Sequence, residues 1–275
     1  MKKKGIIEKA VGMSGPESNG AANKHVMRSG PTALRDESRT QIAKIGKDSN
    51  DQKALDVAQS MVVTSPDNSP VTDGFRNLRS LLVDIDPGEG RMSPVCLIAP
   101  VPPLASSWQV SQNLAASIAM DDARTSLLVD CDLESQNMEA NGQLGLLEYL
   151  DDDDIDVDDI ITSAVTSRMR VIPRGDRTPD QFGDIFLAGR MHSLLDDISN
   201  RYSERFIILN GPKNPADLAL LSRFCDVLML VVGYGQSVDR QILKSLRSAD
   251  AEKVIGFVMT DMPPWHSMVD GSLTM

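Results

Sequence analysis

The 275 residues carry 28 Lys and Arg against 39 Asp and Glu, a formal net charge of −11, which argues against nucleic-acid binding because phosphate backbones are held by clustered cations. No stretch approaches the roughly eighteen consecutive apolar residues that span a bilayer, and Met1-Lys2-Lys3-Lys4 is not followed by a signal-peptide core, so a cytoplasmic location is expected. Cys96, Cys131 and Cys225 lie in or beside apolar runs without metal-ligand spacing, which predicts buried reduced thiols rather than disulfides or a zinc site.

In chain order, residues 1–12 are expected as a short helical segment. Residues 13–52, rich in Lys, Ser, Asn, Gly and Asp, are expected as a disordered linker, because they cannot bury enough apolar surface to offset their ordering entropy. Residues 53–265 are expected as one α/β domain and 266–275 as a flexible tail. Within the domain a helix around Phe75 to Arg79 comes first, and Asp86-Pro87-Gly88-Glu89-Gly90 then reads as a surface turn. Short continuous apolar runs follow at Val95 to Ala99, Ser126 to Val129, Met169 to Ile172, Phe206 to Leu209, Val227 to Val232 and Val254 to Met259. Continuous runs suit strands buried on both faces. Helical periodicity lies between them, at Trp108 to Met120, Met191 to Tyr202, Ala216 to Phe224 and Val238 to Ala249. This alternation predicts a doubly wound, mostly parallel sheet, with the strand C-termini gathered on one edge. The run Asp151 to Asp154, with Asp156, Asp158 and Asp159, lacks the glycine and glutamate of a calcium loop and reads as a solvated acidic loop.

Three predicted strands end in polar residues that would converge. After Ala99 the chain reads Pro100-Val101-Pro102-Pro103-Leu104-Ala105-Ser106-Ser107-Trp108, where a phosphate-binding loop would use glycines to aim its amides, a lysine to neutralise phosphate oxygens and a hydroxyl to hold magnesium. Counting back from Asn113-Leu114-Ala115, the residues Ser106, Ser107 and Trp108 stand at the Gly-Lys-Thr positions. The prolines remove amide donors, and Trp108 is bulky enough to fill the space of magnesium and phosphate. The second end, Asp130-Cys131-Asp132, has the i, i+2 carboxylates that can hold magnesium; capping a loop or helix is the alternative use of the same pair. The third end is Asn210, with the shape of a water-polarising aspartate and no charge, which leaves Asp130 and Asp132 without partners.

The segments Phe75-Arg76-Asn77-Leu78-Arg79, Asn113 to Ala119, Leu127 to Asp132, Gly145-Leu146-Leu147-Glu148-Tyr149-Leu150 and Arg201 to Asn210 together resemble the bacterial tyrosine kinases of capsule and exopolysaccharide synthesis. The likeness is to the exosortase-associated autokinase branch within the deviant-Walker ATPase class, and it runs from about Leu55 to Thr260, with Gly5 to Ala10 also similar to that branch's opening segment. The resemblance implies a sheet of the P-loop NTPase type and a cytoplasmic kinase that binds ATP and magnesium. It also implies phosphorylation of tyrosines on a neighbouring copy, and ring-like assemblies governed by a membrane co-polymerase. It places Arg76 and Arg79 on a helix used at subunit contacts, a solvated helix face being the other reading.

The chain departs from the pattern at Gly-Lys-Thr, at Asn210, at Glu134-Ser135 where a basic residue is expected, and near Thr260 where an asparagine is expected; no tyrosine follows Pro263. Tyr149, Tyr202 and Tyr234 read as packing residues. The expectation is therefore a degenerate, inactive kinase-like protein that binds no cofactor. It would act as a regulatory or scaffold subunit of exopolysaccharide export, at the inner face of the membrane through a polysaccharide co-polymerase or an active kinase paralogue, and homo-oligomeric through Arg76 and Arg79. One alternative is an active ATP- and magnesium-dependent protein-tyrosine autokinase using Asp130 and Asp132. The other is a partitioning or septum-positioning ATPase, against which the acidic balance counts.

Overall fold

The computed structural model describes residues 8–10, 61, 63, 69–87, 93–104, 106–134, 144–164, 166–176, 189–201 and 205–262. The linker expected at 13–52, the tail at 266–275, Tyr202 and most of the turn at Asp86 to Gly90 lie outside them.

Strand β1 spans Glu8–Ala10, and helix α1, Pro70–Val83, follows. Ser69 caps α1, its hydroxyl accepting from the Thr72 amide at 3.2 Å, with Pro70 at the first helical position where a missing N–H costs nothing. Next come β2 (Val95–Pro100), α2 (Trp108–Ala119), β3 (Thr125–Asp130), α3 (Leu146–Asp151), α4 (Val157–Ile160), β4 (Thr162–Ser163) and β5 (Met169–Ile172). The chain continues through α5 (Arg190–Arg201), β6 (Arg205–Asn210), α6 (Pro215–Leu221), β7 (Val227–Gly233), α7 (Asp239–Ser248) and β8 (Val254–Thr260).

The eight strands form one sheet in the order β1-β8-β7-β2-β6-β3-β5-β4. Every pairing is parallel except β4 with β5. Strand residues alternate between two apolar layers. Val95, Leu97 and Ala99 of β2, with Leu127, Val129, Ile207, Leu209, Leu228 and Leu230, face the layer that holds α3, α4 and α5. Cys96, Ile98, Leu128, Ile208, Met229 and Val231 face the layer of α1 and α2. Two covered faces explain why the strands read as unbroken apolar runs. Helix α2 is buried from Val110 to Ala119 and rich in Ala and Ser, since it is wedged between the sheet and α1 and only small side chains permit that approach. All three cysteines are buried and none is in a disulfide.

Three local expectations differ. Glu8–Ala10, placed in a helical segment, is extended and pairs parallel with Phe257, Val258 and Met259 of β8. So short a piece gains little from helix nucleation, whereas the outer side of β8 offers its backbone groups partners at once. The acidic stretch is an irregular loop in part only: Asp151 ends α3, and Val157–Ile160 forms a helical turn whose Val157 and Ile160 are buried while the aspartates face solvent. The helix expected to reach Phe224 ends at Leu221, where the chain turns into β7. Among the described residues no helix is long and apolar enough to cross a membrane.

Candidate functional site

The register aligns Ile98 of β2 and Asp130 of β3 with Asn210 of β6, so the three strands end at one level. The Cys131 amide donates to the Asn210 carbonyl at 2.9 Å and the Gly211 amide to the Ile98 carbonyl at 2.7 Å, continuing the ladder past the last strand residues. At Gly211 a Cβ would lie 2.9 Å from the Leu97 side chain and 3.1 Å from the Ile98 carbonyl oxygen, so the chain leaves β6 tightly against β2.

A hydrogen-bond network occupies this junction. Asn210 Nδ2 donates to Asp130 Oδ1 at 2.9 Å. Its Oδ1 therefore faces the other way, 2.8 Å from Ser107 Oγ and 3.0 Å from Ser111 Oγ. The Ser107 hydroxyl also lies 3.0 Å from the Ile98 carbonyl, and Ser111 Oγ 3.1 Å from that of Ser107, so each single proton is shared between two acceptors. The Asp132 amide adds a second donor to Asp130 Oδ1 at 3.2 Å. Ser107, Ser111, Asp130, Asp132 and Asn210 are all buried. The amide fixes the direction of the network: donor side to the carboxylate, acceptor side to the hydroxyls, the arrangement that satisfies buried polar groups. An aspartate at 210 would instead set two carboxylates against each other, which needs a shared cation or a shared proton. Asp130 is thus not left without a partner, as the sequence suggested: its partner is Asn210.

Three amides of the loop after β2 are committed within the chain. The Val101 amide bonds the Val231 carbonyl at 2.8 Å, that of Leu104 the Val101 carbonyl at 3.1 Å, and that of Trp108 the Ser106 hydroxyl at 3.0 Å. Pro100, Pro102 and Pro103 have no N–H, and the Pro102–Pro103 bond is cis. Ser107 stands at the N-cap of α2 but makes no capping bond, because its side chain turns inward to Asn210. Trp108 is half-buried against the layer of α1 and α2, so Ser107, not Trp108, reaches the strand ends. Among the described residues no three carboxylate, histidine or cysteine side chains gather as a metal site. ATP and magnesium, which the autokinase alternative requires, do not fit this donor set. The loop supplies no cation, three of its amides are committed, and the Asp130 oxygen nearest the junction already accepts two hydrogen bonds.

At the rim Lys213, after β6, pairs with Glu134, after β3, at 3.1 Å, so the position where a basic residue was expected carries the acid of an ion pair. Asp217 on α6 has its carboxyl raised above the usual range, first by burial and then by the Glu134 charge. Burial likewise pushes the Cys131 thiol well up, with the flanking Asp130 and Asp132 adding to it. The Gly145-to-Leu150 motif is a clamp between α3 and the end of β5. Glu148 accepts from the Gly145 amide at 2.9 Å and the Asp176 amide at 3.0 Å, and Gly145 abuts Gly175, whose φ of 98° suits glycine. Ser111 and the Glu134–Lys213 pair escaped sequence reasoning; the i, i+4 spacing of Ser107 and Ser111 was the available signal for the first.

Arg76 is exposed and pairs with Asp73 at 2.9 Å, whereas Arg79 donates to the Ser117 carbonyl at 2.9 Å, near the C-terminal end of α2. Arg79 thus bonds within the chain. Tyr149 is buried under the Arg190 guanidinium, 4.3 Å from its ring centroid, and Tyr234 is half-buried beside Thr260.

No protein-family model and no curated protein matches the chain. Solved structures do. The chimerical protein CapA2B2 superposes with a TM-score of 0.63 at 23% identity, covering 74% of this chain and 91% of that one. The BceF tyrosine kinase domain gives 0.62 at 18% identity over 81% and 90%. The kinase domain of the Escherichia coli tyrosine kinase ETK gives 0.61 at 22% over 74% and 80%. At these identities the likeness is one of fold, and the sheet is that of bacterial tyrosine kinase domains, as the resemblance in the sequence implied.

Proposed function

We propose that this chain is a degenerate tyrosine-kinase-like protein of exopolysaccharide biosynthesis that binds neither ATP nor magnesium. It serves as a regulatory or scaffold subunit, docking a membrane polysaccharide co-polymerase or an active kinase of the same fold at the inner face of the membrane. The observation that carries the reading is the Ser107–Asn210–Asp130 network. Where a working site keeps a lysine, a second carboxylate and a cation, this chain has a hydroxyl, an amide and one carboxylate that satisfy each other without any ligand. A lost charge-assisted contact is worth roughly 1.5–3 kcal/mol, so several losses together remove nucleotide affinity. The shared fold with tyrosine kinase domains supports the family assignment.

Thermal unfolding of the full chain with ATP and magnesium tests it. A ligand at a hundred times its dissociation constant stabilises by about 2.7 kcal/mol, and the expected result is no shift. A magnesium-dependent rise in Tm that vanishes in Asp130→Ala would show a working nucleotide site and favour the autokinase alternative.

A further inference from the structure

We infer that the outer edge of β8 is a docking site for an extended segment of a partner protein, added as a parallel strand, and that β1 is the displaceable occupant that closes this edge within the chain. No residue of β8 is charged and none is proline. Apart from a bulge at Ile255, where Val254 and Gly256 pair with the consecutive Leu228 and Met229, the strand carries none of the devices that blunt a sheet edge. Residues 256–260 form its regular part, paired in step with 229–233 of β7. The Tyr234 amide donates to the Thr260 carbonyl at 2.9 Å, so Gly256, Val258 and Thr260 turn their backbone groups to β7, and the alternate residues Phe257 and Met259 turn theirs outward.

β1 meets that edge with Glu8 opposite Phe257, Lys9 opposite Val258 and Ala10 opposite Met259, which sets the Lys9 backbone between the outward groups of Phe257 and Met259. The fit is incomplete. With β1 in place Val254, Ile255, Phe257 and Met259 are still half-buried, whereas every residue of β7 is buried. Glu8 and Lys9 are charged and stand opposite apolar residues, where β-branched or aromatic partners stabilise a strand pair best. β1 is also joined to α1 through residues 11–69, so its pairing has to offset the closure of a long loop. A short, charged strand at the end of a long connection competes weakly for an apolar edge. The segment this edge fits is an extended one with apolar residues opposite Phe257 and Val258, held by main-chain bonds and selected by those side chains. Neither nucleotide nor the network at Asn210 enters into the contact.

Hydrogen exchange of the full chain resolved by NMR, together with fluorescence anisotropy of a labelled peptide, tests this. The peptide is residues 2–12 of this chain carrying Glu8→Val and Lys9→Val. Lys9→Pro removes the amide that faces the Phe257 carbonyl and should release β1. The Phe257 and Met259 amides then exchange about tenfold or more faster, while those of Val258 and Thr260, turned to β7, keep their rates. Lys9→Ala retains the amide and should exchange as the wild type does. The peptide should bind the Lys9→Pro chain about tenfold or more tightly than the wild type, because no strand of the same chain then competes, and it should slow the same two amides. The unaltered 2–12 peptide should bind more weakly. Unchanged exchange in Lys9→Pro overturns the proposal, as does equal affinity of the peptide for Lys9→Pro and the wild type. So does peptide binding that leaves Phe257 and Met259 unprotected. A wild type that sediments as a dimer beside a monomeric Lys9→Pro also overturns it, since β1 would then be seated on a second copy.

Discussion

Asn210→Asp is the sharpest perturbation of the strand-end network. It replaces an N–H donor 2.9 Å from Asp130 Oδ1 with a second carboxylate at the same buried point. The charge-assisted hydrogen bond is lost, roughly 1.5–3 kcal/mol, and an uncompensated buried charge is added, for a total of about 3–5 kcal/mol by analogy with broken buried pairs. In a domain of this size each kcal/mol moves Tm by about 2–4 °C, so a fall of roughly 6–20 °C is expected at pH 7. Equilibrium urea unfolding followed by circular dichroism reads the same quantity. The sign with pH follows from the shared proton. The paired carboxyls hold one proton in the folded state to a higher pH than they do unfolded, so the variant is least impaired near pH 4 and loses stability as pH rises through the raised folded value. The exchange variant Asp130→Asn/Asn210→Asp restores one amide facing one carboxylate, and the carboxylate then accepts from Ser107 and Ser111. It should recover most of the loss, a coupling the double-mutant cycle isolates. An Asn210→Asp protein as stable as the wild type at pH 7 without divalent cations, or an exchange variant no better than the single one, would refute the network reading.

Ser107→Ala and Ser111→Ala should each cost about 1 kcal/mol, because the other hydroxyl still serves Asn210 Oδ1; the double variant should cost more than the sum, since that oxygen is then left unsatisfied, which paired denaturation curves will show. Gly145→Ala places a Cβ 2.4 Å from the Gly175 backbone nitrogen and 2.6 Å from its Cα, and should cost about 1–3 kcal/mol in urea unfolding through backbone displacement. Asp217→Asn should raise Tm slightly at pH 7. The raised carboxyl of Asp217 is a group whose stabilising state is protonated, so its ionisation subtracts stability as pH rises through the folded value, and the gain should fade towards pH 4 in a pH series of melts.

The sheet was legible because its signal is local. In β2, β3, β6 and β7 each continuous apolar run became a strand with alternate residues in two cores, and the helices between them followed the 3.6-residue period. Short elements carried no such signal. Glu8–Ala10, Val157–Ile160 and Thr162–Ser163 contain too few residues to show a period, and each exists because a neighbour supplies backbone partners or an apolar seat. The site was half legible. Asp130 and Asn210 were singled out from their places at strand ends and Ser107 from its place in the loop after β2, and they do meet. Trp108 was assigned the space that Ser107 faces, because residue volume at a loop-to-helix junction does not say which of two adjacent side chains turns inward.

Sequence alone determined that the loop after one strand and the ends of two others carry Ser, Asp and Asn where a nucleotide site would carry Lys and two acids, since residue identity and strand position are both local properties. Tertiary structure alone decided what those residues do to one another. Asn210 reaches Ser107, Ser111 and Asp130 across separations of 103, 99 and 80 residues. The register of β2, β6 and β3 brings the strand ends together, and only then does the direction of one amide show that Asp130 has its partner in Asn210.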